Sequence, residues 1–198
     1  MELKKFDKAF LSNSIKYIAG VDEAGRGPLA GPVVAAAVVF DERTIIPKVN
    51  DSKKLSEKLR EELYDEIIKN CKCYGIGIVH QNEIDEINIL QATLKAMQLA
   101  VFNLKSEPNL ILIDGNKSFN SKIQTKTIVK GDSKSFSIAA ASILAKVTRD
   151  RIMQIESKKH PEYLWNKNKG YGTKEHIEAI KKFGKTELHR NGFLKNIF

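Results

Sequence analysis

Short apolar runs alternate with longer amphipathic segments along this chain of 198 residues. Runs rich in valine, isoleucine and leucine, bounded by glycine, proline, asparagine or aspartate, are typical of β-strands. Glycines and prolines between the first two such runs predict a loop there. By these criteria, strands are expected at 17–22, 33–40, 73–80, 109–114 and 126–132.

Helices are predicted where apolar residues recur at steps of three and four, because those positions line one face of a helix. The clearest repeat lies in 84–104, and core packing explains it better than a cofactor stripe does. A long helix is expected at 133–159, with Ser133 as its N-cap. Shorter helices are predicted at 56–70 and from just after Thr173 to near Gly184.

The order of these elements predicts an α/β fold, with a mixed central β-sheet flanked by helices. The chain has no repeat, low-complexity tract or linker, so we expect one domain spanning 1–198. Its last ~35 residues are expected to form a small helical extension that contacts substrate. Within that extension, 161–172 is interpreted as an aromatic, basic loop.

The net charge of the chain indicates what kind of partner the protein binds. Lysine and arginine number 33 against 24 aspartates and glutamates, and the pI is about 9.4. Such a balance favours a polyanionic partner, with nucleic acid as the first candidate. A basic surface without a specific partner is the alternative.

Cysteine usage and hydropathy suggest where the protein works. Cys71 and Cys73 are the only cysteines. We expect them to share one strand face as reduced thiols, since two ligands are too few for structural zinc. No segment is long and apolar enough for a signal peptide or a membrane span. A cytoplasmic protein without a membrane partner is therefore expected. A monomer is expected by default, since no feature of the sequence indicates an oligomer.

Acidic residues close three of the predicted strands: Asp22 with Glu23, Asp114 and Asp132. Sites in open α/β sheets gather at the carboxyl ends of strands. Four crowded carboxylates repel one another unless hard cations such as Mg²⁺ or Mn²⁺ lie among them. Two such ions can promote phosphodiester hydrolysis. Taken singly, each aspartate also fits a turn former or a helix cap.

One geometrical condition applies to the first pair of carboxylates. Adjacent strand residues point to opposite faces. We therefore expect the strand to end or bulge between Asp22 and Glu23, so that both side chains reach one site.

The stretch Gly25-Arg26-Gly27 has two readings. As a simple tight turn it needs no further role. As a bare backbone, it could approach nucleic acid closely and contact a ribose 2′-OH, with Arg26 holding a phosphate. Its spacing does not match a dinucleotide-binding fingerprint.

Four further polar positions are candidates for substrate contacts. Lys53 is equally consistent with a phosphate contact and with a solvated lysine. Ser133 and Ser135 could hold a phosphate at a helix N-terminus, although capping also explains Ser133. Tyr171 lies in sequence among Lys167, Lys169 and Lys174, which suits a residue that stacks on a nucleic acid.

Several long motifs resemble the type 2 ribonuclease H family, ribonuclease HII, in its bacterial form. The most specific are GVDEAGRGPLAGPVVAAAV (20–38) and KGDSKSFSIAAASILAKVTRD (130–150). Shorter matches, in the family's order, are DSKKLS (51–56), NILQATLKAM (88–97), LIDGN (112–116) and HPEYLWNKNKGYGTKEH (160–176).

The resemblance implies a ribonuclease H-like fold and a two-metal endonuclease. Its acidic ligands map onto Asp22, Glu23, Asp114 and Asp132. It implies cleavage of the RNA strand of RNA–DNA hybrids, and incision 5′ of single ribonucleotides in duplex DNA, with 3′-hydroxyl and 5′-phosphate ends. It further implies that Gly25-Arg26-Gly27 recognises the RNA–DNA junction and that Tyr171 stacks on the following deoxyribose.

The chain departs from the family pattern at 189–193, where His-Arg is followed by Asn-Gly-Phe. This departure is expected to weaken backbone contacts from the tail while sparing the metal site. No clamp-binding tail is recognised, and FLKNIF (193–198) is expected to pack back onto the domain. Two other classes stay open: a silent nucleic-acid-binding module, and a DNA nuclease of this fold that acts on four-way junctions.

Overall fold

The computed structural model describes residues 2–195 and 197. Five strands form a single sheet in the order β3-β2-β1-β4-β5. β1 pairs antiparallel with β2 and parallel with β4, while β2–β3 is antiparallel and β4–β5 is parallel. The predicted mixed sheet of an α/β fold is thus confirmed. The strands are β1 Ile18–Ala24, β2 Val33–Val39, β3 Cys73–Val79, β4 Leu110–Asp114 and β5 Gln124–Ile128.

Helices cover both faces of the sheet. The helices are α1 Glu2–Lys8, α2 Glu57–Asn70, α3 Gln81–Phe102, α4 Phe136–Lys159, α5 Trp165–Asn168 and α6 Lys174–Phe183. Alternation along β2 divides the core, because Ala35 and Ala37 lie in a cluster with α3 residues, whereas Ala36 and Val38 lie in one with α2 and α4 residues. A Cβ on Gly77 would lie 2.0 Å from the Ala96 carbonyl oxygen, so α3 packs backbone to backbone against β3.

The segment after β5 differs from its prediction. The strand ends at Ile128, and Asp132 lies in a 3-10 turn formed by residues 131–133. Lys130 has a left-handed φ of 57°, which turns the chain out of the sheet. The long helix is capped not by Ser133 but by Ser135, whose Oγ accepts from Ile138 N at 3.2 Å.

Smaller differences concern the helix ends. α1 was not predicted, since seven residues carry too little periodicity to show a helix. α3 is interrupted at Asn88, whose φ is 67°.

The prediction that both cysteines share a strand face is wrong, because Cys71 caps the C-terminus of α2 and only Cys73 lies in β3. Both thiols are free.

The C-terminal segment forms a small layer of its own. Segment 161–172, expected to be a loop, contains a 3-10 turn at 161–163 and the short helix α5. α6 begins after the Thr173 cap and ends before Gly184, as predicted. Asn196 and Phe198 lie outside the described residues, so packing of the 193–198 tail is seen only in part. In the described part of the chain, no helix is both long and apolar enough to cross a bilayer.

Candidate active site

The sheet order places the predicted carboxylates at one edge. β1 and β4 run parallel as neighbours, and Val21 pairs with Ile113, so the next residues, Asp22 and Asp114, lie side by side. β5 is the next strand, and the turn after it brings Asp132 back, because Gly131 N donates to Asp114 Oδ1 at 2.6 Å. We call Asp22, Glu23, Asp114 and Asp132 the acidic edge.

The pKa values of Asp22, Glu23 and Asp114 are all raised, mainly by burial and further by repulsion from neighbouring carboxylates. Burial raises the pKa of Asp22 well above its usual value, and the charges of Glu23, Asp114 and Asp132 raise it further. Burial also raises the pKa of Glu23, against the opposing effect of Arg26, and Asp114 adds to the rise. The pKa of Asp114 is raised by burial, while the hydrogen bond from Gly131 N opposes the rise. Positive charge placed among these groups would relieve their mutual repulsion.

Asp22 and Glu23 join this edge without the predicted strand end or bulge. β1 continues through both in regular register, with Asp22 opposite Ala36 and Glu23 opposite Ala35. Asp22 Oδ1 instead accepts from the main-chain N of Glu23 at 2.7 Å. The expected strand end or bulge between Asp22 and Glu23 is therefore wrong.

Two cationic side chains already engage the edge. Lys53 Nζ lies 3.5 Å from Asp132 Oδ2, and Arg26 Nη1 lies 3.4 Å from Glu23 Oε1. Burial disfavours charge on Lys53, but the carboxylates around it outweigh burial and raise its pKa. Lys53 therefore lies beside the acidic edge with a side chain that is 82% exposed to solvent.

The donor chemistry of the edge fits a hard divalent cation, because every candidate ligand is a carboxylate oxygen. Asp22 is only 5% exposed, yet it lacks a cationic partner within ion-pair distance in the described part of the chain. In the arrangement described for residues 2–195 and 197, no three His, Cys, Asp or Glu side chains are grouped to hold an ion. Glu23 and Asp132 are paired with Arg26 and Lys53 instead.

The loop that carries Gly25-Arg26-Gly27 follows β1 directly. Gly25 has a φ of 97°, which favours glycine, and a Cβ there would lie 2.2 Å from Arg149 Nε. Arg26 and Gly27 are exposed at the surface beside the acidic edge. The chain bends at Arg26 and Gly27, and both residues are exposed.

Tyr171 lies against this loop. A Cβ on Gly27 would be 3.7 Å from Tyr171 Cε1, and Leu29 N donates to Gly170 O at 2.8 Å. The ring is 43% exposed. Of the lysines near Tyr171 in sequence, Lys169 is turned toward Glu57 at 3.4 Å. The structure therefore brings Tyr171 to Gly27 but directs Lys169 elsewhere.

Two buried arginines, Arg149 and Arg190, were not anticipated as part of this region. Both are 0% exposed, and both donate to main-chain carbonyls of the loop at 25–32. Arg149 interrupts an otherwise apolar helical face, and that charge was the one signal in the sequence that could have revealed it.

A buried group of aromatic and histidine side chains lies next to the segment that carries Tyr171. We call Tyr163, Trp165, His176 and His189 the tail core; all four are at most 2% exposed. Trp165 Nε1 donates to His176 Nε2 at 3.0 Å, so His176 carries its proton on Nδ1 and donates to Tyr171 O at 2.9 Å. Thr186 N donates to His189 Nδ1 at 2.9 Å, which leaves His189 Nε2–H facing His176.

Comparison with known proteins places this geometry in a family. The family model described as ribonuclease HII matches residues 19–196. Ribonuclease HII of Clostridioides difficile is 57% identical over 196 residues, which covers 99% of this chain and 75% of that protein. Ribonuclease HII of Caldicellulosiruptor bescii is 54% identical over 193 residues, covering 98% and 94%.

Solved structures agree with the fold. Ribonuclease H2 from Pyrococcus horikoshii superimposes with a TM-score of 0.77 at 30% identity, covering 91% of this chain and 96% of that one. Ribonuclease HII from Archaeoglobus fulgidus, solved as a complex with PCNA, gives 0.71 at 26% identity, covering 88% and 93%. The chain belongs to the ribonuclease HII family of ribonuclease H endonucleases, which cleave the RNA of RNA–DNA hybrids.

Proposed function

We propose that this enzyme also incises duplex DNA on the 5′ side of a single embedded ribonucleotide, leaving 3′-hydroxyl and 5′-phosphate ends with two Mg²⁺ or Mn²⁺ ions. The observation that supports it best is the acidic edge, where buried Asp22 is repelled by three other carboxylates. A related fold, Bst-RNase HIII, was solved in complex with Mn²⁺.

In this proposal Asp22, Glu23, Asp114 and Asp132 are the metal ligands and catalytic residues. Bound there, divalent cations would supply an activated water and neutralise charge on the departing oxygen. The chain's own residues set where the phosphodiester lies. Asp114 is oriented by Gly131 N, and Asp22 by Glu23 N, so both carboxylates are positioned by main-chain hydrogen bonds before substrate arrives.

Substrate contacts come from groups beside the edge. Lys53, which lies 3.5 Å from Asp132, is placed to hold a phosphate near the reacting bond. Gly25, Arg26 and Gly27 form the surface that contacts the 2′-OH, and Tyr171 stacks beside Gly27 on the next sugar. The whole chain, 1–198, acts as one catalytic domain whose C-terminal extension supplies Tyr171.

The decisive experiment compares two duplexes that differ by one 2′-OH. The enzyme is incubated in Mg²⁺ or Mn²⁺ with DNA carrying a single ribonucleotide, and with the same DNA lacking it. We expect one cut, 5′ of the ribonucleotide, and none in the all-DNA duplex. Absence of that cut in both metals would contradict the proposal, and cleavage of ribose-free four-way junctions would favour the DNA-nuclease alternative.

A variant separates recognition from chemistry. Arg26→Ala is expected to weaken selection of the RNA–DNA junction more than it weakens metal binding, since Arg26 neither lies in a strand nor supplies an oxygen ligand. Cleavage of the two duplexes and calorimetric titration with Mn²⁺ measure the two effects. Unchanged junction selectivity would remove this role from the loop.

A further inference from the structure

Two guanidinium groups are buried where no carboxylate neutralises them. Arg149 and Arg190 are both 0% exposed. Neither forms an ion pair in the described part of the chain, although eleven ion pairs occur there. A buried charge without an ion partner needs several hydrogen bonds to offset its lost hydration. Carbonyl groups of the 25–32 loop supply most of them.

Arg190 ties together the two ends of that loop. Its Nη2 donates to Gly25 O at 2.7 Å, and its Nη1 donates to Arg26 O at 3.1 Å. On the far side of the turn, Nε and Nη2 donate to Gly31 O at 2.9 and 2.8 Å. The three nitrogens of the planar guanidinium therefore fix the directions of three main-chain carbonyls, those of Gly25, Arg26 and Gly31.

These contacts also decide where the amide groups point. In a trans peptide unit the C=O and the following N–H point in opposite directions, and the chain contains no cis bond in its described part. Since Arg190 draws the carbonyls of Gly25 and Arg26 inward, the N–H groups of Arg26 and Gly27 point away from it. Neither N–H has an acceptor among residues 2–195 and 197.

We infer that Arg190 is a positioning residue for substrate selectivity: it turns the Arg26 and Gly27 amides outward as a pair of donors for the ribose 2′-oxygen. This inference rests on the proposed function, in which this loop reads the 2′-OH. It specifies that function further: because Arg190 holds the carbonyls of Gly25 and Arg26 inward, these two peptide units present their N–H donors outward.

The other buried arginine provides a contrast. Arg149 donates to Ala30 O at 3.1 Å, to Pro32 O at 3.0 Å and to Lys169 O at 3.0 Å. It therefore holds the far half of the loop and the segment before Tyr171, without binding the carbonyls of Gly25 or Arg26. Among the described side chains, only Arg190 donates hydrogen bonds to the carbonyls of Gly25 and Arg26.

Lysine cannot take over this task. Its ammonium is a point donor, whereas the planar fork of arginine reaches several acceptors in fixed directions. Arg190→Lys keeps a cation at the position but loses the simultaneous bonds to Gly25 O and Gly31 O. Comparison of Arg190→Lys with Arg190→Met separates the effect of charge from the effect of direction.

The test measures binding selectivity in the full-length Asp22→Asn protein, so that no cleavage occurs. Fluorescence anisotropy in Mg²⁺ gives the dissociation constants for a duplex with one ribonucleotide and for the same duplex without it. We expect both Arg190 variants to reduce the ratio of these constants by about tenfold, the scale of hydrogen bonds lost to one substrate hydroxyl. Affinity for the all-DNA duplex should change little.

Controls separate this outcome from general destabilisation. Leu63→Ala, a core change in α2 away from the loop, should lower the unfolding temperature without changing the ratio. In Asp22→Asn protein with an intact Arg190, the amide NMR signals of Arg26 and Gly27 should shift more with the ribonucleotide duplex than with all-DNA. That measurement stands even if an Arg190 variant fails to fold.

Two results would overturn the inference. One is a selectivity ratio in Arg190→Lys equal to that of the parent protein, and the other is identical Arg26 and Gly27 amide shifts with both duplexes. Either result, obtained while the wild-type enzyme still cuts at the ribonucleotide, refutes the inference about Arg190 and leaves the proposed cleavage at single ribonucleotides intact. Failure of wild-type cleavage refutes the proposed function itself.

Discussion

The acidic edge and the tail core both bury titratable groups, but with opposite consequences. At the acidic edge, burial and mutual repulsion raise the pKa of Asp22, so the ionised edge is unfavourable until positive charge reaches it. In the tail core, burial lowers the pKa of His189 to about 4, so its neutral ring completes a hydrogen-bond network unaided. The acidic edge is electrostatically unfavourable without added positive charge. The tail core needs no ligand, and it stabilises the segment that carries Tyr171.

The first prediction tests the acidic edge at its centre. Asp22→Asn should reduce cleavage by about 10³-fold or more, because it removes an oxygen ligand from a site that stabilises transition-state charge by several kcal/mol. Substrate affinity should change little. Asp7→Asn is the matched control, since Asp7 is also buried but bonds to Ser137 outside the edge. Retained turnover in Asp22→Asn would exclude Asp22 as a ligand.

The second prediction tests the tail core. Trp165→Ala should lower the free energy of unfolding by about 3–5 kcal/mol, as for other fully buried aromatic residues. The indole stacks on Tyr163 with centroids 5.1 Å apart and donates to His176. Urea unfolding measures the loss, and Phe102→Ala, at an 82% exposed position, should cost little. A loss no larger than that of Phe102→Ala would mean that the tail core contributes little stability.

The third prediction uses pH to separate the regions. The pKa of His189 falls from 6.5 to about 4 on folding, mainly through burial. Below pH 6.5 the unfolded chain therefore binds a proton that the folded chain excludes, and stability falls as the pH drops toward 4. The contribution at stake is roughly 3 kcal/mol.

His189→Asn keeps an acceptor for Thr186 N but cannot titrate. Its unfolding free energy should therefore fall less on acidification than that of the wild type, measured by urea unfolding at about pH 7 and about pH 4.5. His80→Asn, at an exposed position, should follow the wild type. Parallel curves of unfolding free energy against pH for His189→Asn and the wild type would show that His189 does not cause the loss of stability on acidification.

The fourth and smallest effect has the opposite sign. In chelator, Asp22→Asn should raise the free energy of unfolding by about 1 kcal/mol at neutral pH, the usual size of a stabilising substitution. Because the folded pKa of Asp22 is raised, the penalty on its charged form exists only at pH values above the normal carboxyl range. The gain should vanish at low pH, and a destabilised variant at neutral pH would contradict it.

Local sequence patterns predicted the acidic ends of β1 and β4 well, but they predicted the turn between β5 and α4 poorly. Apolar runs that end in carboxylates revealed β1 and β4, and therefore the positions of Asp22 and Asp114. Asp132 was assigned to a strand because nothing in the pattern shows that Lys130 adopts a left-handed conformation. Ser133 and Ser135 are equally good caps by residue type, and only the turn before α4 selects between them.

The buried arginines show why other contacts of the candidate site could not be predicted from the sequence. The partners of Arg190 are main-chain carbonyls more than 150 positions away in the chain. Main-chain groups carry no residue-specific signal, so a guanidinium that binds them resembles any surface arginine in the sequence. His189 and Arg190, which precede the departure from the family pattern at Asn191 and Gly192, are both buried, whereas Asn191 and Gly192 are exposed.

Gly20 lies where strand β1 packs directly against the first turn of helix α4. A methyl group there would come within 2.1 Å of the Ser137 carbonyl carbon, so the first turn of α4 rests on bare β1 main chain. The same strand carries Asp22 two residues later, and the same helix carries Arg149 three turns later. A side chain at position 20 would push β1 and α4 apart, and would displace both the acidic edge and the arginine that supports the 25–32 loop.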